Sequence, residues 1–188
     1  MTKFMLEALS QDVNLAQALI DAGGIKVLKS VLENHPLNEE LMSLAIDALK
    51  QFAEVNKEAV TNENSIDAIM LAIGRLIGTE NDDILISALR SAIGVATIAG
   101  AEQFMGDRSM KDLIASLKQY RAPGVVAAGA ELVDVLVSDK EFCKKFMEMG
   151  GLDQIKANLE MCKDHPEVKF SSRLKTYPNI TPFKRHII

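Results

Sequence analysis

The chain is poor in the residues that most chemistry and many scaffolds need. Its two cysteines, Cys143 and Cys162, are too few for a disulfide framework or a four-ligand zinc site. Histidine occurs three times, and tryptophan is absent. Positive charge is the minority sign, with 21 Lys and Arg against 26 Asp and Glu and a net charge of -5. That balance argues against a dedicated nucleic-acid binder, whose footprint is basic. No apolar stretch reaches the roughly 18 residues of a membrane span. The opening MTKFMLEALSQDVN carries acids and lacks the apolar core of a signal peptide. The expectation is a reduced, intracellular protein, cytoplasmic with the nucleus as a second compartment.

What the sequence does hold is apolar residues, 48% of its 188 positions, and they recur with a period. Four segments share one template: AGGIKVLKSVL from Ala22, ENSIDAIMLAI from Glu63, DRSMKDLIASL from Asp107 and MGGLDQIKANL from Met149. The residue pairs before the apolar triplet are Gly23-Gly24, Asn64-Ser65, Arg108-Ser109 and Gly150-Gly151, spaced by 41, 44 and 42 residues. Each triplet falls at i, i+3, i+7, one face of a helix. The triplets are Ile25, Leu28, Leu32; Ile66, Ile69, Ile73; Met110, Leu113, Leu117; and Leu152, Ile155, Leu159. Another apolar residue stands a turn before each corner: Leu19, Val60, Phe104 and Phe146. A short helix therefore ends at each corner, and a second begins just after it. Gly and Asn tolerate the left-handed backbone that such a corner needs. Arg108 does not suit it, which predicts a different corner there.

A longer helical pattern fills each interval. The first runs from Asn38 with Leu41, Ala45, Ala48, Leu49 and Phe52 on one face. The second runs from Asn81 with Ile84, Leu85, Leu89, Ala92, Ile93 and Ala96, and the third from Pro123 with Val126, Leu132, Val133 and Leu136. Asn38 and Asn81 suit N-caps, with acids in the turn that follows. Pro36 and Pro123 stand at joints between helices. Small residues, among them Ala45, Ala48, Ala88, Ala92, Ala127, Ala128 and Gly129, permit close helix approach, and Gly74 reads the same way. No period-2 run demands a sheet.

With these residues in place, the chain resembles the armadillo-repeat family, with the related HEAT repeats as nearest competitor. Gly23-Gly24-Ile25 and Gly150-Gly151-Leu152 are similar to that family's corner. Ala45-x-x-Ala48-Leu49-x-x-Phe52 resembles its third-helix pattern. The resemblance implies an all-α fold: a right-handed α-solenoid superhelix of about four repeats with incomplete terminal repeats. Residues 1–166 would form the solenoid and 167–188 a Pro-containing basic tail. It also implies a concave groove lined by the third helices, which binds a segment of a partner protein. Peptide-binding members place Asn at one groove position of each third helix, and some add Trp a turn earlier. Here the corresponding residues are Gln51, Val95 and Val135, and Asp47, Ser91 and Glu131. The ladder that clamps a peptide backbone is mostly missing. The expected groove is instead Glu40, Ser43, Asp47, Gln51, Ser87, Ser91, Val95, Ala127, Glu131 and Val135. Its small, somewhat acidic surface suits a helical or basic protein segment, with no nucleic acid and no membrane as partner.

The ends depart from the template. Phe4, Met5, Ala8 and Leu9 resemble the close of a third helix. After His165-Pro166 the sequence makes a poor third helix, because Pro178 and Pro182 interrupt it. Stacked repeats need polar terminal caps. Three outcomes are open: a fragment of a longer array, a tail folded back as the cap, or self-association through uncapped ends.

Catalytic chemistry finds little footing. His35 and His165 each precede a proline at a joint, and His186 lies in the tail. Cys143 stands beside Lys144 and Lys145, where a lowered thiol pKa is conceivable, although an ordinary buried cysteine is the simpler reading. Glu39-Glu40 and Asp82-Asp83 open helices and complement the helix dipole. No phosphate loop is present, since no strand precedes the glycines and no GK[ST] follows. The expectation is a non-catalytic interaction or scaffold module without cofactor or metal. A self-associating structural array and a regulatory domain of a larger enzyme are the alternatives.

Overall fold

The computed structural model describes residues 12–166 apart from 36, 37, 78 and 80. The expectations placed on residues 1–11, on Pro36 and on the tail after Pro166 lie outside the described residues. Within them the fold is all-helical: ten α-helices and one 3-10 turn, with no strand. They are α1 (Val13–Asp21), α2 (Gly24–Asn34), α3 (Glu39–Val55), α4 (Lys57–Asn62), α5 (Ser65–Leu76) and α6 (Asp82–Ala99). A 3-10 turn (Ala101–Phe104) follows, then α7 (Asp107–Leu117), α8 (Pro123–Leu136), α9 (Lys140–Glu148) and α10 (Gly151–Met161).

The corners divide as the residue types dictate. Gly23 (φ 87°), Asn64 (φ 51°) and Gly150 (φ 80°) all adopt the left-handed conformation and start α2, α5 and α10. At the Arg108 copy no residue does so. Gly106 enters α7 from an extended backbone (φ -56°, ψ 138°), and a 3-10 turn replaces the short helix before it. An arginine side chain opposes the left-handed geometry, so the chain turns earlier and by another route. Gly24 has a separate requirement: a Cβ there would stand 2.7 Å from the Leu19 carbonyl oxygen.

Capping follows side-chain chemistry. Asn38 accepts from the Leu41 N–H at 2.9 Å and Asn81 from the Ile84 N–H at 3.3 Å. Asp12, Asn56 and Asp139 start α1, α4 and α9 in the same way. Pro123 occupies the first turn of α8, where its missing N–H costs nothing.

Packing repeats with the sequence period. The second helices form one row, in which α5 packs on α2, α7 on α5 and α10 on α7. The third helices form another, with α6 between α3 and α8. The core lies between the rows. Eleven of the twelve triplet residues are buried, at about 2 kcal/mol each for a fully enclosed aliphatic side chain. The exception is Leu159, which is half-buried while its neighbour Asn158 takes the interior place. Gly74 also differs from expectation: it is exposed, with the nearest neighbouring atom, the Ser116 Oγ, at 4.0 Å.

Polar side chains tie each unit to the next. Arg75 on α5 donates to the carbonyls of Leu32 (2.7 Å) and Glu33 (2.9 Å) at the end of α2. Asn158 on α10 donates to the Leu117 carbonyl at the end of α7, at 2.7 Å. Lys145 on α9 reaches the Met105 carbonyl at 2.8 Å and the Asp107 carboxylate at 2.5 Å. Lys29 donates to the Glu63 carbonyl, and Asn56 to the Gln17 amide oxygen at 3.2 Å. Ser109 donates to Asp67. These partners lie 34 to 43 residues apart, about one period. Helix C-termini leave carbonyls without internal partners; at the ends of α2 and α7 a side chain of the following unit supplies the donor, and at the end of α4 Lys29 of the preceding unit does.

Candidate functional site: the outer face of the third-helix row

The ten residues expected to line a groove divide by burial. Glu40, Ser87 and Glu131 are exposed. Asp47, Gln51 and Val135 are half-buried. Ser43, Ser91, Val95 and Ala127 are buried and present no surface to a partner. The reason for the first three is the close stacking of α6 on α3. Ser91 donates its hydroxyl to Asp47 across that seam. Ser43 lies one turn before Asp47 and Val95 one turn after Ser91, so both share the seam-side faces. The expected alignment is rotated by about one residue between α3 and α6.

Helical spacing restores a consistent outer row. On α3 it follows Glu40, Leu44, Asp47 and Gln51, at i, i+4, i+7, i+11. On α6 it follows Asp83, Ser87, Arg90 and Thr97, all exposed, with half-buried Gly94 at the i+11 place. On α8 it is reduced to Glu131 and Val135. Lys50 crosses from α3 to α6, and its stem lies where a Gly94 side chain would be: a Cβ there would meet the Lys50 Cε at 2.7 Å. Its ammonium stands 3.9 Å from Glu54. Sequence reasoning passed over Lys50, Arg90 and Gly94. The readable signal was the glycine in the middle of α6, which marks a close approach. With Lys50 and Arg90 included, the face alternates in sign and is not simply acidic.

The chain has no match among family models, curated proteins or solved structures.

The remaining titratable groups show how local surroundings act. Burial pushes the Cys143 thiol above its ordinary value, the reverse of activation, and the residue is 4% exposed. In sequence it stands between Phe142 and Phe146, whose rings stack on each other with centroids 5.6 Å apart. Cys162 is also buried, its Sγ 3.7 Å from the Arg121 carbonyl oxygen. Tyr120 is 1% exposed, and desolvation raises its phenol well above the usual value. Its ring lies on Gly129, where a Cβ would be 2.5 Å from Cε2. Asp107 is the opposite case. The hydrogen bond and charge of Lys145 hold its carboxyl below the ordinary range. His35 and His165 are exposed at their joints. Among the described residues, no group of three His, Cys, Asp or Glu is placed to hold a metal ion. No described helix is long and apolar enough to cross a membrane.

Proposed function

We propose that the chain is an armadillo-type α-solenoid that acts as a non-catalytic interaction module. It takes up a segment of a partner protein along the outer face of α3, α6 and α8. The carrying observation is the side-by-side packing of these three helices, which aligns Glu40, Asp47, Gln51, Ser87, Arg90 and Glu131 on neighbouring helices. The 41- to 44-residue recurrence of the corners and the side-chain bonds reaching about one period along the chain support the repeat reading.

A face of small and alternately charged residues favours a helical partner with both signs of charge over an extended backbone. Helices pack closely where side chains are small, and matched charges orient them. The test is Glu40→Lys with Glu131→Lys, two exposed positions whose change should leave the fold intact. Pull-down from a cell extract with wild type and variant, quantified by mass spectrometry, should show partners lost from the variant. Identical captured sets would remove this face from consideration.

A second reading, assembly through the ends of the array, draws on Val13 and Leu15 on α1 and Met161 on α10. These large apolar residues are exposed at the first and last described helices. Light scattering over a concentration series separates the two, since a groove binder keeps a constant mass.

A further inference from the structure

An arginine presents a planar fork of donors that matches a carboxylate at two points. Four arginines stand among the described residues, and three are engaged. Arg75 donates to the carbonyls of Leu32 and Glu33, and Arg121 to those of Lys118 and Tyr120. Arg108 stands 3.8 Å from Asp112. Arg90 alone has no hydrogen bond or ion pair among the described residues.

Its own helix offers no partner. The places three and four residues away hold Ser87, Ile86, Ile93 and Gly94. Lys50 finds Glu54 and Lys163 finds Glu160 at such spacings. Lys50 is the only base on α3 and Arg90 the only base on α6, and α8 has none, while all three helices carry acids. Arg90 is therefore an exposed, unused fork on an acid-rich row.

The register between α3 and α6 places it. Ser91 donates to Asp47, 44 residues back. Gly94 lies under the stem of Lys50, at the same offset. An equal offset at both levels means that α3 and α6 run parallel. Glu40 is then level with Ile84, beside Asp83, so these two exposed acids mark one end of the face. Arg90 follows Asp83 on the same stripe by two turns, about 10 Å along the axis. Ser87 lies between them and Gly94 beyond, and neither has the bulk to hold an approaching helix away. Asp47, the acid of α3 nearest that level, is half-buried and accepts the Ser91 hydroxyl.

Complementarity to this stripe sets the chemistry of its occupant. A base must meet Glu40 and Asp83, and an acid two turns away must meet Arg90. A shallow crossing, about 20°, keeps both positions in contact. We propose that Arg90 selects the partner, by taking the carboxylate of an Asp or Glu on a helix aligned along α6, while a Lys or Arg of that helix meets Glu40 and Asp83. This deepens the proposed function and rests on the outer face being the binding face.

The test is a displayed library of helical peptides, about five turns long, with acid, base or neutral choices along one stripe, selected on the intact chain. Enriched sequences should carry an acid and a base at i and i+7. Arg90→Glu should weaken the best of them by about tenfold or more, because like charges then meet. Replacing that peptide's acid by Lys should restore binding to the variant. Arg90→Gln should fall between. Thermal unfolding, expected to match wild type at this exposed position, separates lost contact from lost fold. Peptides that bind Arg90→Glu as well as wild type would overturn the role of Arg90. If those peptides lose affinity for Glu40→Lys with Glu131→Lys, the face stands and only selection by Arg90 falls. If they bind that variant unchanged, the proposed function falls with it. A library without binders overturns both.

Discussion

The second-helix row and the third-helix row repeat with one period but are held by different forces. In the second row, side chains satisfy helix-end carbonyls: Arg75 serves Leu32 and Glu33, and Asn158 serves Leu117. In the third row the contact is chiefly close packing of small residues, with Ala45, Ala48, Ala88, Ala92, Ala96 and Ala99 buried, and Ser91 to Asp47 as a polar link. One row depends on partners being present. The other depends on bulk being absent. Stability should therefore fail by opposite substitutions in the two rows.

The largest effect should come from adding bulk to the third row. Gly129→Val would place a Cβ 2.5 Å from the buried Tyr120 ring. Overpacking should cost about 3 kcal/mol and outweigh the roughly 0.5–1 kcal/mol gained by removing a mid-helix glycine. Chemical denaturation would show it as a lower midpoint. Removing a partner from the second row comes next. Asn158→Ala leaves the Leu117 carbonyl without its donor in a buried setting, which should cost about 2 kcal/mol. A midpoint equal to wild type would show that the two rows do not differ in this way. Ser91→Ala should cost less, about 1 kcal/mol, because half-buried Asp47 can turn to water. The smallest effect is electrostatic. The folded pKa of Asp107 is depressed, so its bond to Lys145 contributes above the ordinary carboxylate value of 3.8 and is lost as pH falls through the folded value. Lys145→Met should narrow the acid side of the pH–stability profile slightly, with no change in the shape of the curve near neutrality.

Legibility in the sequence followed the same division. Corners at Gly23, Asn64 and Gly150 could be read because few residue types accept a left-handed backbone. The odd corner could be read because Arg108 does not. Apolar triplets could be read because burial imposes a helical spacing. The polar ties could not, since Arg75 or Lys145 in a helical pattern looks like any solvated charge until the following unit is laid against it. Asn158 offered the faintest trace, a polar residue beside the expected core position Leu159. The outer face suffered from the same limit. Ser91 and Val95 were assigned to the surface by alignment, but the Ser91–Asp47 contact turns them into the seam. A rotation of one residue decides between surface and interior, and repeat spacing alone does not define it.

The side-chain ties that reach about one period along the chain also bear on how the molecule forms. No long segment has to be closed before these contacts appear, so the entropic cost of each closure stays nearly constant along the chain. In a repeat array of the kind proposed, assembly can start at any neighbouring pair of units and spread in both directions.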